Sequence, residues 1–155
     1  MRIRSFSEKQ TFNLGKKLAT FLKIGDTLCL YGPLGAGKTI FVKGIANGLG
    51  IPKEEVNSPA FVLVNEYKGK IPIFHFDFYR LKNTQEIITA GYEDYFYREG
   101  IIIIEWAERL SDYLMPSYYL AIEFKILNRN SRQINISSFG NQYTYILEKF
   151  KKRIQ

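Results

Sequence analysis

The stretch Gly32-Pro33-Leu34-Gly35-Ala36-Gly37-Lys38-Thr39 constrains this chain more than any other part of it. Its form is Gly, four residues, then Gly-Lys followed by Ser or Thr, which background composition yields about once in two hundred chains of this length. Thr27 to Tyr31 before it reads as a short buried strand, and Lys38 to Leu49 after it as a helix closed by Gly50 and Pro52. A strand, a glycine-rich turn and a helix in that order form an anion cradle. Glycines at 32, 35 and 37 permit backbone angles that side chains forbid, and the free amides at the helix start point toward a phosphate. The span Gly35, Ala36, Gly37, Lys38, Thr39 and Ile40 is therefore the expected phosphate contact. Lys38 reaches for the β- and γ-phosphates, and the Thr39 hydroxyl is available to Mg2+. The bland alternative is a glycine-rich turn with no ligand.

The rest of the chain supplies an α/β frame around that loop. Phe12, Gly15, Leu18, Ala19 and Leu22 recur at helical spacing over Glu8 to Leu22, with Ser7 as N-cap. Period two then predicts strands over Phe61 to Tyr67 and Ile71 to Tyr79, joined as an antiparallel hairpin around Lys68-Gly69-Lys70. Asn83 or Thr84 caps a helix to Ala90, and a shorter one covers Tyr92 to Tyr97. Ile101 to Ile104 is apolar on every residue, as a central strand covered on both faces requires. A helix over Ala107 to Leu114, strands near Leu120 to Leu127 and Gln133 to Ser138, and a helix around Asn141 to Phe150 complete the reading. With no repeat or linker in its 155 residues, the chain reads as one domain spanning 1–155. The expected fold is a three-layer sandwich of the P-loop nucleotide-hydrolase kind, with a mixed, mainly parallel central sheet that includes the hairpin.

Two acidic residues stand where a phosphate loop needs them. Glu105 follows the four isoleucines at the carboxyl end of their strand, where open α/β sheets place ligand sites, and is the expected Mg2+ ligand beside Thr39. Asp77 shares a strand face with His75 and Tyr79, opposite Phe74, Phe76 and Phe78, and is the candidate to orient or activate an attacking water. Either carboxylate could instead be neutralised by Arg80 or Arg109. His75, the only histidine, suits a hydrogen-bonded structural role, because one histidine without cysteines makes no zinc site. Trp106 adjoins Glu105 and could pack on nucleotide, on a partner or in the core. Cys29 lies in an apolar run and excludes an internal disulfide. The net charge of +7 favours anionic partners without naming one. The longest aliphatic run, Ile101 to Ile104, is far too short to span a bilayer, so no membrane partner is expected, and the single cysteine suits a reducing cytoplasm.

Taken in order, Gly32 to Thr39, Asn57-Ser58-Pro59-Ala60-Phe61 with Val64-Asn65-Glu66-Tyr67, His75 to Leu81, Gly91 to Phe96 and Ile104 to Leu110 resemble the bacterial TsaE family, ATPases of tRNA threonylcarbamoyladenosine biosynthesis. The most restrictive match is His-Phe-Asp-x-Tyr-Arg-Leu followed by Ile-Glu-Trp. The resemblance implies a weak ATPase using ATP and Mg2+ and acting with TsaD and TsaB. The complex modifies the adenosine beside the tRNA anticodon, so tRNA is met through the complex, direct contact being left open. It implies Lys38 on phosphate, Thr39 and Glu105 on the metal, Asp77 in hydrolysis, Trp106 beside the site and a switch-like segment at Ser58. Ser7, Thr11, Glu108 and Arg132 are further nucleotide contacts by the same likeness. Two positions depart from the family pattern: Ala60 stands where Thr follows Ser-Pro, and Ile40 where a second Thr follows Thr39. The rival classes are a small-molecule kinase and a nucleotide-dependent interaction module that never turns ATP over. A GTPase is disfavoured because no Asn-Lys-x-Asp is present to read guanine.

Overall fold

A computed structural model describes residues 1–155. Seven strands form one sheet: β1 (Arg2–Ser5), β2 (Thr27–Tyr31), β3 (Val64–Tyr67), β4 (Ile73–Asp77), β5 (Ile101–Glu105), β6 (Tyr119–Ile126) and β7 (Arg132–Phe139). Their order across the sheet is β1-β7-β6-β2-β5-β4-β3. The central strands β6, β2, β5 and β4 are mutually parallel, while β3 at one side and β7 and β1 at the other pair antiparallel. The mixed sheet with a parallel centre is thus as expected, and the β3–β4 hairpin is joined by a second antiparallel group at the opposite flank.

Alternation along the strands divides the core in two. Leu28, Leu30, Ile101, Ile103, Leu120 and Ile122 face the helices α1 (Glu8–Ala19), α2 (Lys38–Gly48) and α4 (Thr144–Ile154). Cys29, Phe74, Phe76, Ile102, Ile104 and Ala121 face the other way, toward α3 (Thr84–Thr89) and the 3₁₀ segments Tyr92–Tyr97, Ala107–Arg109 and Asp112–Leu114. Burial of β5 on both faces explains why its four isoleucines show no alternation.

Helices α1 and α2 touch backbone to backbone. A Cβ on Gly15 would sit 2.2 Å from the Phe41 carbonyl oxygen, and one on Gly44 only 2.0 Å from that of Phe12. Glycine at both positions is what allows the approach, which sets α1 beside the phosphate loop.

Four local readings differ from the sequence expectation. The strand read as beginning at Phe61 starts at Val64, because Val62 and Leu63 turn back to donate to the Pro59 carbonyl at 3.0 and 2.7 Å. The segment Ala107 to Leu114 is two 3₁₀ turns rather than a helix, since Leu110 and Ser111 adopt extended angles between them. The C-terminal helix starts later, with 3₁₀ geometry over Asn141–Tyr143. Strand β1 was not foreseen; its four residues carry one aliphatic side chain and are held by pairing with β7.

Candidate functional site

The loop from Gly32 to Thr39 leaves the carboxyl end of β2 and enters α2, whose first residue is Lys38. Gly37 caps that helix at φ 101°, a left-handed angle that a side chain would strain. A Cβ there would also approach the Arg132 Cδ at 3.2 Å. The helix therefore has no side-chain cap, and its first amides are left for an external acceptor.

Lys38 is 4% exposed. Its ammonium donates to the loop's own Gly32 and Pro33 carbonyls and lies 4.1 Å from the centre of the Trp106 ring. Burial lowers its pKa below the ordinary lysine value, while Glu105, Glu108 and Asp77 pull it back up. Trp106 reaches this position through a left-handed backbone, φ 59°, and packs against Tyr79 with ring centres 4.9 Å apart. Such an angle is uncommon outside glycine and concentrates at functional sites.

The two carboxylates meet in register, Asp77 of β4 opposite Glu105 of β5, at the carboxyl ends of parallel strands. Both are 2% exposed. The Thr39 hydroxyl donates to Glu105 at 2.9 Å (Oε1) and 3.1 Å (Oε2), and His75 Nε2 donates to Oε1 at 2.9 Å. Asp77 accepts from the Ser58 hydroxyl at 2.6 Å and from the Tyr79 amide at 2.9 Å. Neither carboxylate is neutralised by the arginines that might have claimed it. Arg80 lies 3.8 Å over the Phe61 ring, and Arg109 donates to the Leu81 carbonyl. Arg98–Glu66 is the one arginine–carboxylate or lysine–carboxylate ion pair in the chain, and His75 contacts Glu105 at 2.9 Å.

These residues line a cleft of ≈ 540 Å³ that runs from Gly35 to Ile40 past Ser58, Ala60, Asp77, Tyr79, Glu105 and Trp106 to Arg132. Among the weaker sequence candidates, Arg132 lines it, 6% exposed and donating to Thr11 Oγ1 at 2.8 Å. Thr11 stands behind it and bonds the Ser7 carbonyl. Ser7 is the N-cap of α1 and lies outside the lining, as does Glu108, whose charge nonetheless acts on Lys38. Sequence reasoning gave no site role to Tyr79, Arg80 or Glu8, which also line the cleft. Tyr79 was legible from period two, which places it on the face of His75 and Asp77.

The donor set suits a hard divalent cation shared with phosphate oxygens: a hydroxyl and a carboxylate in contact, with a second carboxylate in register. No group of three or more His, Cys, Asp or Glu forms a metal cage, so any ion here completes its shell with ligand or water oxygens. The cations Lys38 and Arg132, each without a carboxylate at ion-pair distance, suit phosphate.

A family model described as "Threonylcarbamoyl adenosine biosynthesis protein TsaE" matches residues 5–134. The chain belongs to the TsaE family. Among its TsaE relatives, a Bacillus subtilis protein named "tRNA threonylcarbamoyladenosine biosynthesis protein TsaE" is 37% identical over 153 residues, 98% of this chain and 94% of that one. A Treponema pallidum protein of the same name is 38% identical over 137 residues, 88% of this chain and 100% of that one. The crystal structure of Bacillus subtilis YdiB superposes with a TM-score of 0.83 at 33% identity, covering 100% of this TsaE chain and 96% of that one.

Proposed function

We propose that this TsaE-family chain is the ATP-binding, weakly ATP-hydrolysing component of the tRNA threonylcarbamoyladenosine machinery, acting as a single ATPase domain with TsaD and TsaB. Modification of the adenosine beside the anticodon is then supported through the complex, in the cytoplasm. The relatives' names support the pathway, and the cleft supports the chemistry. No helix is long and apolar enough to cross a membrane. The observation that carries the reading is the convergence of Lys38, Thr39, Asp77, Glu105 and Arg132 on one cleft at the end of the parallel strands.

Each residue takes a role from its position. The amides of Gly35 to Ile40 cradle the β- and γ-phosphates, and Lys38 exchanges its carbonyl partners for them. A bound phosphate also moves Lys38 back toward its ordinary pKa, because its negative charge offsets the desolvation that lowers it. Arg132, held by Thr11 against Gly37, meets the same phosphates from the α1 side. Thr39 and Glu105 would hold Mg2+, which would offset charge on the phosphate oxygens. Asp77, fixed by the Tyr79 amide and Ser58, orients the attacking water. Ser58 provides a hydroxyl next to the position where Ala60 lacks one, so the segment keeps a polar tie to the site. Nucleotide binding and hydrolysis then move the Ser58 segment between two arrangements and so alter the surface offered to partners.

The test is ATP hydrolysis by the purified chain, alone and with TsaD and TsaB, beside Lys38→Ala. Slow turnover that rises with the partners and disappears in the variant is expected. Hydrolysis unaffected by Lys38→Ala contradicts the assignment, and phosphate transfer to a small acceptor identifies a kinase instead.

A further inference from the structure

A second line of hydrogen bonds leaves Glu105 and runs away from the cleft. His75 Nε2 donates to Glu105 Oε1 at 2.9 Å, and His75 Nδ1 lies 3.1 Å from the Tyr67 hydroxyl. That hydroxyl is 2.9 Å from the Asn57 carbonyl, which also accepts from Asn65 Nδ2 at 3.2 Å. His75 is 0% and Tyr67 6% exposed, so the chain is shielded from water for most of its length. It ends on the residue before Ser58, whose own hydroxyl holds Asp77. The Asn57–Ser58 segment is therefore tied to both carboxylates, to Asp77 directly and to Glu105 through Tyr67 and His75.

This arrangement is not what packing alone selects. Along the sheet face that carries His75, its neighbours Ile73 and Ile103 are apolar and 0% exposed. A buried polar chain among such neighbours is costly unless its members are partnered, and here no buried side-chain nitrogen or oxygen lacks a partner within hydrogen-bond distance. Groups that hold a ligating carboxylate from behind set its orientation, and losing them commonly costs about 10–100-fold in metal affinity.

We propose that His75 and Tyr67 are positioning residues that transmit the state of Glu105 to the Asn57–Ser58 segment, so that this segment responds to metal as well as to phosphate. His75 fixes Glu105 Oε1, which the Thr39 hydroxyl also contacts at 2.9 Å, and leaves Oε2, 3.1 Å from that hydroxyl, free of the imidazole for the metal. When Glu105 shifts to share a cation, the imidazole follows it, and the Tyr67 hydroxyl carries the displacement to the Asn57 carbonyl. The proposal rests on the Mg-ATP reading of the cleft and adds the route by which the metal acts on the surface.

The test uses Tyr67→Phe, which removes one oxygen and keeps the ring that packs in the core; a buried His75 variant risks failing to fold. Hydrogen exchange across residues 56–60 is measured with ATP alone and with ATP plus Mg2+, together with ATP affinity in each condition. In the wild-type chain, adding Mg2+ raises protection of the segment. In Tyr67→Phe that increment is lost and the Mg2+ concentration needed rises about tenfold, while ATP affinity without Mg2+ stays within about twofold of wild type. A full Mg2+-dependent increment in Tyr67→Phe overturns the coupling and leaves the reading of the cleft intact. Equal losses of affinity with and without Mg2+ also overturn it, because they mark a general disturbance. A wild-type chain that takes up no Mg-ATP removes the reading of the cleft, and the coupling with it.

Discussion

Gly44→Ala is the substitution for which helix propensity and packing disagree most sharply in sign. Gly44 lies inside α2, where alanine is intrinsically better by about 0.8–1.0 kcal/mol. Propensity alone therefore predicts a more stable protein. The new Cβ would sit 2.0 Å from the Phe12 carbonyl oxygen, 2.9 Å from its carbon and 3.0 Å from the Lys16 nitrogen, all backbone atoms of α1. A flexible side chain could swing aside from such a clash; a helix backbone has to back away as a unit. Overpacking commonly costs about 1–3 kcal/mol, and an overlap of this size against backbone belongs at the upper end. The net expectation is a loss of about 1–2 kcal/mol, or roughly 2–8 °C in Tm for a chain of this size. Thermal and urea denaturation measure it, with the exposed α1 substitution Asn13→Ala as a control expected to change stability by no more than about 0.5 kcal/mol. Because α1 carries Thr11, which holds Arg132 beside Gly37, the variant should also bind ATP more weakly. A Gly44→Ala protein as stable as wild type, or more so, refutes the close-packed α1–α2 contact and the placement of Arg132 that follows from it.

Three further outcomes are expected. Arg132→Gln should weaken ATP binding about tenfold to a hundredfold, the equivalent of losing a hydrogen bond to a charged group worth about 1.5–3 kcal/mol; equilibrium binding checks it. Asp77→Asn should keep ATP affinity within a few-fold while turnover falls by about 10²–10⁴, the usual contribution of a positioned base; single-turnover assays separate the two. Cys29, buried in β2, has its thiol pushed up to about 12 by desolvation, so the folded chain keeps a proton that the unfolded chain releases above pH 9.0. That contribution to stability is present below pH 9.0 and is lost as pH rises toward 12. Stability measured by denaturation between pH 9 and 10 should accordingly fall less steeply in Cys29→Ala, by at most about 1.4 kcal/mol per pH unit.

Much of the frame could be read in the sequence because local pattern and tertiary burial agree there. The motif after β2, the unbroken apolar run of β5 and the alternation along β4 are each a pattern that only one environment satisfies. Glu105 and Asp77 were legible as a pair because both end such strands, but nothing in the sequence showed that their strands are neighbours in register. Strand β1 was invisible for a physical reason: Arg2–Ser5 owes its conformation to the edge of β7 rather than to its own propensity. The helix read over Ala107 to Leu114 failed because the left-handed Trp106 and the extended Leu110 and Ser111 interrupt it, and neither leaves a composition signal. At Phe61 to Leu63 the alternation was misleading. Phe61 is 80% exposed and covers Arg80 beside the cleft instead of extending β3. The link from Glu105 through His75 and Tyr67 to Asn57 could not be read at all, since it joins residues on three strands, β5, β4 and β3, to one in a loop.

Trp106, the only tryptophan, has its ring 4.1 Å from the Lys38 ammonium and reports on the cleft without a label. The most direct test of the account is a fluorescence titration with Mg-ATP of the wild-type chain and of Lys38→Ala. A saturable change is expected in the wild type and, in the variant, an affinity lower by about tenfold or more. Saturable binding of equal strength in both proteins, or none in the wild type, contradicts the assignment of this cleft to ATP.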